Sequence, residues 1–303
     1  MAHRAWIVDP IGASTFDRLA AGLANPALQS LLLEVMHARA QARSAKDLVA
    51  QHGRDPFCAP APVDLREMLA IDGHLLAAAA RFEAVELSPV APLGTCSVVG
   101  PTHQHRVVSA LRATEVVSDP TNVLALECAV RLRAQPAGDV HLATSQRVVR
   151  AQPVPPRAGQ TRHFRLFALG SAGIERKDHA FTLETIALHV RTLQEGLDRL
   201  ERAGYAVGRR RLQILASADR RRLGDQLAER LGAERQPLDH PYYSGGLRYR
   251  LWVTAPDAEE LPLADGGAFD WLGRLAANRR AVFIGSGLGS QSLALRLGPG
   301  RAA

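Results

Sequence analysis

Lysine is almost missing from this 303-residue chain: of 37 basic residues only Lys46 and Lys177 are lysines, so 35 are arginines. A ratio this lopsided, beside abundant Ala, Leu and Gly, reflects a bias toward GC-rich codons. The net charge of +7 is therefore weak evidence for a nucleic-acid partner. The arginine runs at 209–211 and 220–222 are expected to be solvated turns and helix faces. Cysteine is scarce too. Cys58, Cys96 and Cys128 are odd in number and widely spaced, which excludes a disulfide framework or zinc ribbon and implies buried thiols in a reducing, cytoplasmic setting. No run of about eighteen apolar residues occurs, and the opening MAHRAWIVDPIG has no signal-peptide core, so no membrane association is expected. What is present is globular: 47% apolar and 22% charged residues, enough chain for one large domain or two modest ones.

The stretch 140–175 organises the rest. It reads as an apolar strand over 140–149, a loop rich in proline with Arg157, and a second strand, HFRLFAL. Arg150 ends the first strand. Such a hairpin can hold a nucleotide, with a guanidinium gripping a phosphate and a ring stacking on a base, although an ordinary basic hairpin has the same pattern.

Around it, residues 14–50 carry apolar residues at helical spacing, and the proline-dense 53–63 looks like a linker. The spacing predicts a helix from an Asp64 cap, with Glu67 completing a capping box, to about Phe82. His103 and His105 share a strand face without a third ligand, so no metal is expected. Asp119 or Thr121 caps a helix running to about Arg133. A strongly periodic helix fills 180–203 and Gly204 stops it. Then follow a strand at 212–217, a helix at 220–231, a strand pair across 242–253, a loop ADGGAFD, a short helix to Leu275, a strand AVFIGSG and a last helix SQSLALRL. This order predicts an α+β fold on an antiparallel sheet flanked by helices, with residues 1–62 as a helical N-terminal extension and 63–303 as the main domain.

Four pieces carry a resemblance. The helix 64–82 leading to Ser88-Pro89, the hairpin at Arg150, the segment Tyr242-Tyr243-Ser244-Gly245 with Gly266-Gly267-Ala268-Phe269-Asp270, and FIGSGLGSQSL at 283–293 follow one another in family order. Together they resemble the class II aminoacyl-tRNA synthetase catalytic domain, most closely its histidyl branch and the regulatory subunit of ATP phosphoribosyltransferase. By that resemblance Arg150, Gln152, Arg162, Phe164, Gly287 and Gly289 would bind the nucleotide, in the run Gly159-Gln160-Thr161-Arg162-His163-Phe164 and at the third motif. Phe164 would stack on the base, with Phe167 as second choice. Asp119, Thr121, Tyr242, Tyr243, Gly245, Gly266, Gly267 and Asp270 would line the substrate pocket. ATP with Mg2+ is the implied cofactor, and a homodimer through 64–82 the implied assembly.

The departures point elsewhere. Gln152 stands in place of an acid, and Ser290, Gln291 and Ser292 stand where the third motif carries an arginine, the first one here being Arg296. The substrate carboxylate and glutamine positions fall on Leu166 and Gly170, which would leave a bound ammonium unpaired. The arginine before the tyrosines has no clean counterpart, with Leu238 at its spacing and Arg235 reached only through an insertion. No anticodon-binding domain follows the third motif, so tRNA is not expected as a partner. The resemblance thus implies a non-charging auxiliary subunit serving a partner enzyme in histidine biosynthesis. The alternative is an adenylate-forming ligase for an acid other than histidine. No catalytic residue can be assigned.

Overall fold

A computed structural model describes residues 8–136, 138–152, 161–238 and 240–299. Early in the chain lie α1 (Ala13–Asp17), a π-helical turn (Arg18–Gly22), α2 (Asn25–Gln41) and α3 (Ala45–Arg54). Ser44 and Asp47 form a capping box at α3, yet none of these helices contains a buried residue. The body starts at α4 (Leu65–Ala78), where Asp64 accepts the Arg66 N–H at 2.7 Å. Glu67 lies in the first turn but makes no bond back to the cap, and the helix stops short of Phe82. Met68, Ile71 and Leu75 face inward, each burial contributing about 1.5–3 kcal/mol.

Next come β1 (Glu83–Ala84) and a small sheet of β2 (Val90–Pro92), β3 (Ser109–Ala110) and β4 (Thr114–Val116). Buried Glu115 staples this region by accepting the Gly94 and Cys96 N–H groups, both at 2.8 Å. Then follow α5 (Pro120–Ala134), β5 (Val140–Val149), β6 (His163–Ile174), α6 (Ala180–Arg202), β7 (Arg210–Ala216), α7 (Arg221–Leu231), β8 (Glu234–Pro237), β9 (Leu247–Thr254), β10 (Glu260–Phe269), α8 (Trp271–Leu275), β11 (Ala281–Leu288) and α9 (Ser290–Leu297).

The main sheet has eight strands in the order β1-β5-β6-β11-β10-β9-β7-β8. From β5 to β7 every pairing is antiparallel, while β1 on β5 and β8 on β7 are parallel edges. The β5–β6 hairpin is the expected one, but it sits toward one side of the sheet. Its alternation divides the core. Phe167 and Leu169 pack with α4 and α6, whereas Ala168 and Ala172 pack with α5. Phe167 therefore points to the face away from Phe164. At Gly170 a Cβ would stand 2.8 Å from the Leu124 Cβ, so this glycine lets α5 close on the sheet.

Three further expectations change. ADGGAFD is no loop: it is most of β10, hydrogen-bonded between β9 and β11. Only β9 exists in 242–253, because 242–246 form turns. Cys96 and Cys128 are buried but Cys58 is exposed. The segment 55–59 also does more than link. Arg162 donates its N–H to the Pro56 carbonyl at 3.2 Å and its guanidinium lies 5.5 Å from the Phe57 ring, while His163 Nε2 is 2.7 Å from the Ala59 carbonyl. The arginine runs meet acids: Arg210 pairs with Asp198 and Glu201, and Arg211 with Glu234 and Glu260. Among the described residues no helix is long and apolar enough to cross a membrane.

Candidate functional site

A cavity of about 320 Å³ opens where the start of α5, the end of β5 and the glycine-rich parts of β10 and β11 converge. Asp119 caps α5: its Oδ1 accepts the Thr121 N–H at 3.0 Å and the Thr121 hydroxyl at 2.7 Å. Oδ2 is left facing the cavity, 3.4 Å from the Tyr242 hydroxyl and 4.0 Å from the Arg150 guanidinium. Arg150 is held from three sides. Its N–H bonds to the Arg162 carbonyl at 2.8 Å, its Nε to the Ser118 carbonyl at 3.0 Å, and its guanidinium lies 5.1 Å from the Phe164 ring. A cation fixed in this way needs little reorganisation to meet an anion.

The aromatic wall is Tyr242, Tyr243 and Phe269, with Trp271 packed behind it, and Tyr242 is edge-on to the other three at 5.4–5.6 Å between centroids. Burial first, and the Asp119 charge second, push the Tyr242 hydroxyl well above its ordinary pKa, so it remains a neutral donor. Tyr243 is pushed up in the same direction by burial and by Asp265. Arg248 lies 4.6 Å from the Tyr243 ring and grips Asp265 with two nitrogens, so the Asp265 carboxylate reaches the cavity already paired.

The floor is glycine because nothing larger fits. Gly266 pairs with Ser286 and Gly267 with Gly285; a Cβ on Gly266 would stand 2.4 Å from the Ser286 hydroxyl, and one on Gly267 2.2 Å from the Leu247 carbonyl. The remaining wall is Gly287, Gly289 and Ser292 beside 262–264. Here Ser290 and Gln291 are buried, and Ser290 Oγ and Gln291 Oε1 have no hydrogen-bond partner among the described residues. Arg296 turns away and binds Asp257 and Glu259, both at 2.8 Å.

Of the residues singled out in the sequence, Asp119, Thr121, Arg150, Tyr242, Tyr243, Gly266, Gly287 and Gly289 meet around this cavity. The other residues expected to bind do not line it. Phe164 lies beneath Arg150 among Ala91, Val117 and Val148. Arg162 donates to the Ala151 and Gln152 carbonyls and stacks on Phe57, so it and Gln152 serve the shoulder of the hairpin. Gly267 packs behind the floor against the Tyr243 ring. Gly245 and Asp270 face a neighbouring cavity, where Asp270 accepts the Ser244 hydroxyl at 2.6 Å. Phe167, the second choice for stacking, is in the opposite core. Arg235 pairs with Asp225 and Leu238 packs in the core, so neither brings a cation to the site. Arg157, Gly159 and Gln160 lie outside the described residues.

Leu166 does line the cavity and Gly170 packs on α5, and neither brings a carboxylate. The carboxylates at the cavity come from other elements: Asp119, and Asp265, which Arg248 already grips. Asp265 escaped notice inside what reads as a loop, and Ser286 has no signal beyond its glycine neighbours, while Ser292, read only as a departure, lines the cavity. Among the described residues no group of three His, Cys, Asp or Glu side chains is placed to hold a metal.

The sequence matches no protein-family model and no curated protein. Solved structures do match. An ATP phosphoribosyltransferase regulatory subunit/histidyl-tRNA synthetase from Bacillus halodurans C is similar with a TM-score of 0.58 at 14% identity, over 78% of this chain and 82% of that one. The apo histidyl-tRNA synthetase of S. aureus gives 0.54 at 14% identity, over 76% and 64%. A pyrrolysyl-tRNA synthetase of Desulfitobacterium hafniense gives 0.50 at 12% identity, over 88% and 77%. What such identities carry is the fold: an α+β class II aminoacyl-tRNA synthetase-like domain with helices flanking a large sheet.

Proposed function

We propose that this chain is a non-charging auxiliary subunit, in which a class II pocket binds a small ligand without activating it. The observation that carries this reading is the end of the cavity formed by β11 and α9. Activation with ATP needs a cation there to hold the departing pyrophosphate, and a preorganised charge of that kind is worth about 2.7–4 kcal/mol. The position holds Ser290 and Gln291, and Arg296 is tied to two acids on another turn.

ATP with Mg2+ fits these residues only in part. Arg150 is placed to meet a phosphate, but Phe164 is covered by Arg150 rather than open to a base, and the cavity carboxylates are engaged by Tyr242, Arg150 and Arg248. No step through ATP follows from them. Asp119 opposite Arg150, with Leu166 as an apolar wall, suits instead a small zwitterion such as a free amino acid. The likeness to a regulatory subunit of ATP phosphoribosyltransferase supports a place in histidine biosynthesis, in the cytoplasm, beside a partner enzyme.

The proposed assembly is a homodimer through α4, whose outer face exposes Leu65 and Leu69. Residues 1–62 would be an appended arm on the 63–303 body, in keeping with the absence of buried residues from α1 to α3. Calorimetric titration with L-histidine, with other amino acids, and with ATP plus Mg2+ tests the ligand. Saturable amino-acid binding that ATP does not improve is expected. Binding that requires ATP would favour the ligase alternative.

A further inference from the structure

On the far side of β5 from the candidate site, a second cavity of about 510 Å³ lies between the C-terminal end of α4, the start of β5, and α6. Four arginines line it: Arg81, Arg176, Arg191 and Arg230. Its three acids are already matched. Asp139 and Glu184 meet Arg176 at 3.8 and 2.9 Å, and Glu195 is ion-paired with Arg199 and Arg202 on its own helix. Arg81, Arg191 and Arg230 have no ion-pair partner among the described residues, so the cavity presents an uncompensated positive surface. Thr185 and Thr192, 3% and 7% exposed, give it a polar floor.

One more group faces this cavity, and it is held by buried structure. His141 Nδ1 is 2.8 Å from the Ser171 hydroxyl, which is 2.8 Å from His189 Nε2; His189 Nδ1 is in turn 2.7 Å from the Ser286 hydroxyl. Ser171, His189 and Ser286 are 0–1% exposed, and Phe82 packs edge-on against both imidazoles. Each bond of this chain can run in either direction, because hydroxyls and neutral imidazoles both donate and accept. Engaging Nδ1 fixes the His141 ring and leaves Nε2 as its nitrogen without a partner among the described residues. A buried polar chain of this kind orients the group at its end, as the partner of one imidazole nitrogen sets the state of the other.

We propose that this cavity binds a small, multiply charged anion of the phosphorylated-metabolite class, with Arg81, Arg191 and Arg230 as its charges and His141 as an oriented hydrogen-bond donor. An anion beside His141 favours a proton on both ring nitrogens. Nδ1–H must then donate to Ser171, Ser171 to His189 Nε2, and His189 Nδ1–H to Ser286. The chain is locked in one polarity. The charged groups around His141 agree with this: burial foremost and Arg81 lower its proton affinity, Asp139 opposes them, and an incoming anion offsets both unfavourable causes. The chain ends on the strand that floors the candidate site, but the proposal does not depend on what that site binds.

The test uses the full-length protein with 15N-labelled histidine, titrated with tripolyphosphate, with fructose 1,6-bisphosphate, and with sodium sulfate at matched ionic strength. Saturable binding of one or both phosphate probes, beyond sulfate, is expected, and the stronger of the two identifies an inorganic or an organic source. The same titration should move the His189 nitrogen resonances toward the Nδ1–H tautomer. Arg81→Ala with Arg191→Ala should weaken binding at least tenfold. Ser171→Ala should still bind the probe but lose the His189 response; should that variant fail to fold, His141→Gln at the half-buried end should both weaken binding and lose the His189 response. No saturable binding, or undiminished binding in the double arginine variant, overturns the site. Binding that leaves the His189 tautomer unchanged overturns the role of the chain.

Discussion

The two ends of the candidate cavity are built to different standards. At the hairpin end, Arg150 is anchored by two backbone bonds, an aromatic ring and a nearby carboxylate, and Asp119 is fixed as a helix cap. At the β11–α9 end, the corresponding positions are small or neutral, two buried polar atoms have no partner among the described residues, and Arg296 is turned outward. On the proposed function, binding and activation separate in this fold, because their groups come from different elements. The hairpin and the α5 cap would hold a ligand while the end of β11 would supply nothing for a leaving group.

The largest expected effect removes the support behind the wall that both ends share. Trp271 is 1% exposed and stacks on Phe269 at 3.9 Å, so Trp271→Ala should cost about 3–5 kcal/mol of stability by chemical denaturation and abolish ligand binding at both ends. A loss under about 1 kcal/mol would mean the wall does not hold the ends together.

Arg150→Ala separates the ends. It should lower affinity for an anionic or zwitterionic ligand by about 1.5–3 kcal/mol, the worth of a charge-assisted contact, with little change in stability. Unchanged calorimetric affinity would remove Arg150 from the site.

Beneath the floor, His189 is fully buried and burial holds its pKa down to about 3. The unfolded chain takes up a proton near pH 6.5 and the folded one does not, so stability should be full above about pH 6.5. It should fall by up to about 1.4 kcal/mol per pH unit on going from there toward pH 3. Denaturant titrations at stepped pH measure the slope, and His189→Gln should flatten it; an equal slope in that variant contradicts the assignment.

The smallest change sharpens the comparison by repairing the weaker end. Ser292 is exposed and lines the cavity, so Ser292→Arg introduces a cation where the third motif lacks one. ATP affinity with Mg2+ should rise by roughly 0.2–1 kcal/mol, the worth of an exposed ion pair. No gain would show that this end is not open to phosphate.

Much of this was legible in the sequence, and the exceptions have physical causes. The period of α6 and the two strands of the β5–β6 hairpin were plain because each buries one face in register. β10 was not, since ELPLADGGAF carries Pro, Asp and two glycines; only the structure shows that Tyr249, Leu247 and Ser286 crowd out any side chain at Gly266 and Gly267. Phe164 and Phe167 differ by an odd number of residues, so pattern alone left open which of them lies on the cavity's side of the sheet, and the pairing decides it. Arg162 had the motif position of a nucleotide ligand, but the docking of 55–59 onto the hairpin is a long-range contact with no local signal.

The central claim is that the pocket binds without activating, and ATP–pyrophosphate exchange tests it most directly. The assay runs on the full-length protein with L-histidine and each other amino acid in turn, at concentrations that calorimetry shows to be saturating. The account predicts no exchange above the protein-free rate with any acid that binds. Acid-dependent exchange would contradict it, and the acid that drove the exchange would name the substrate.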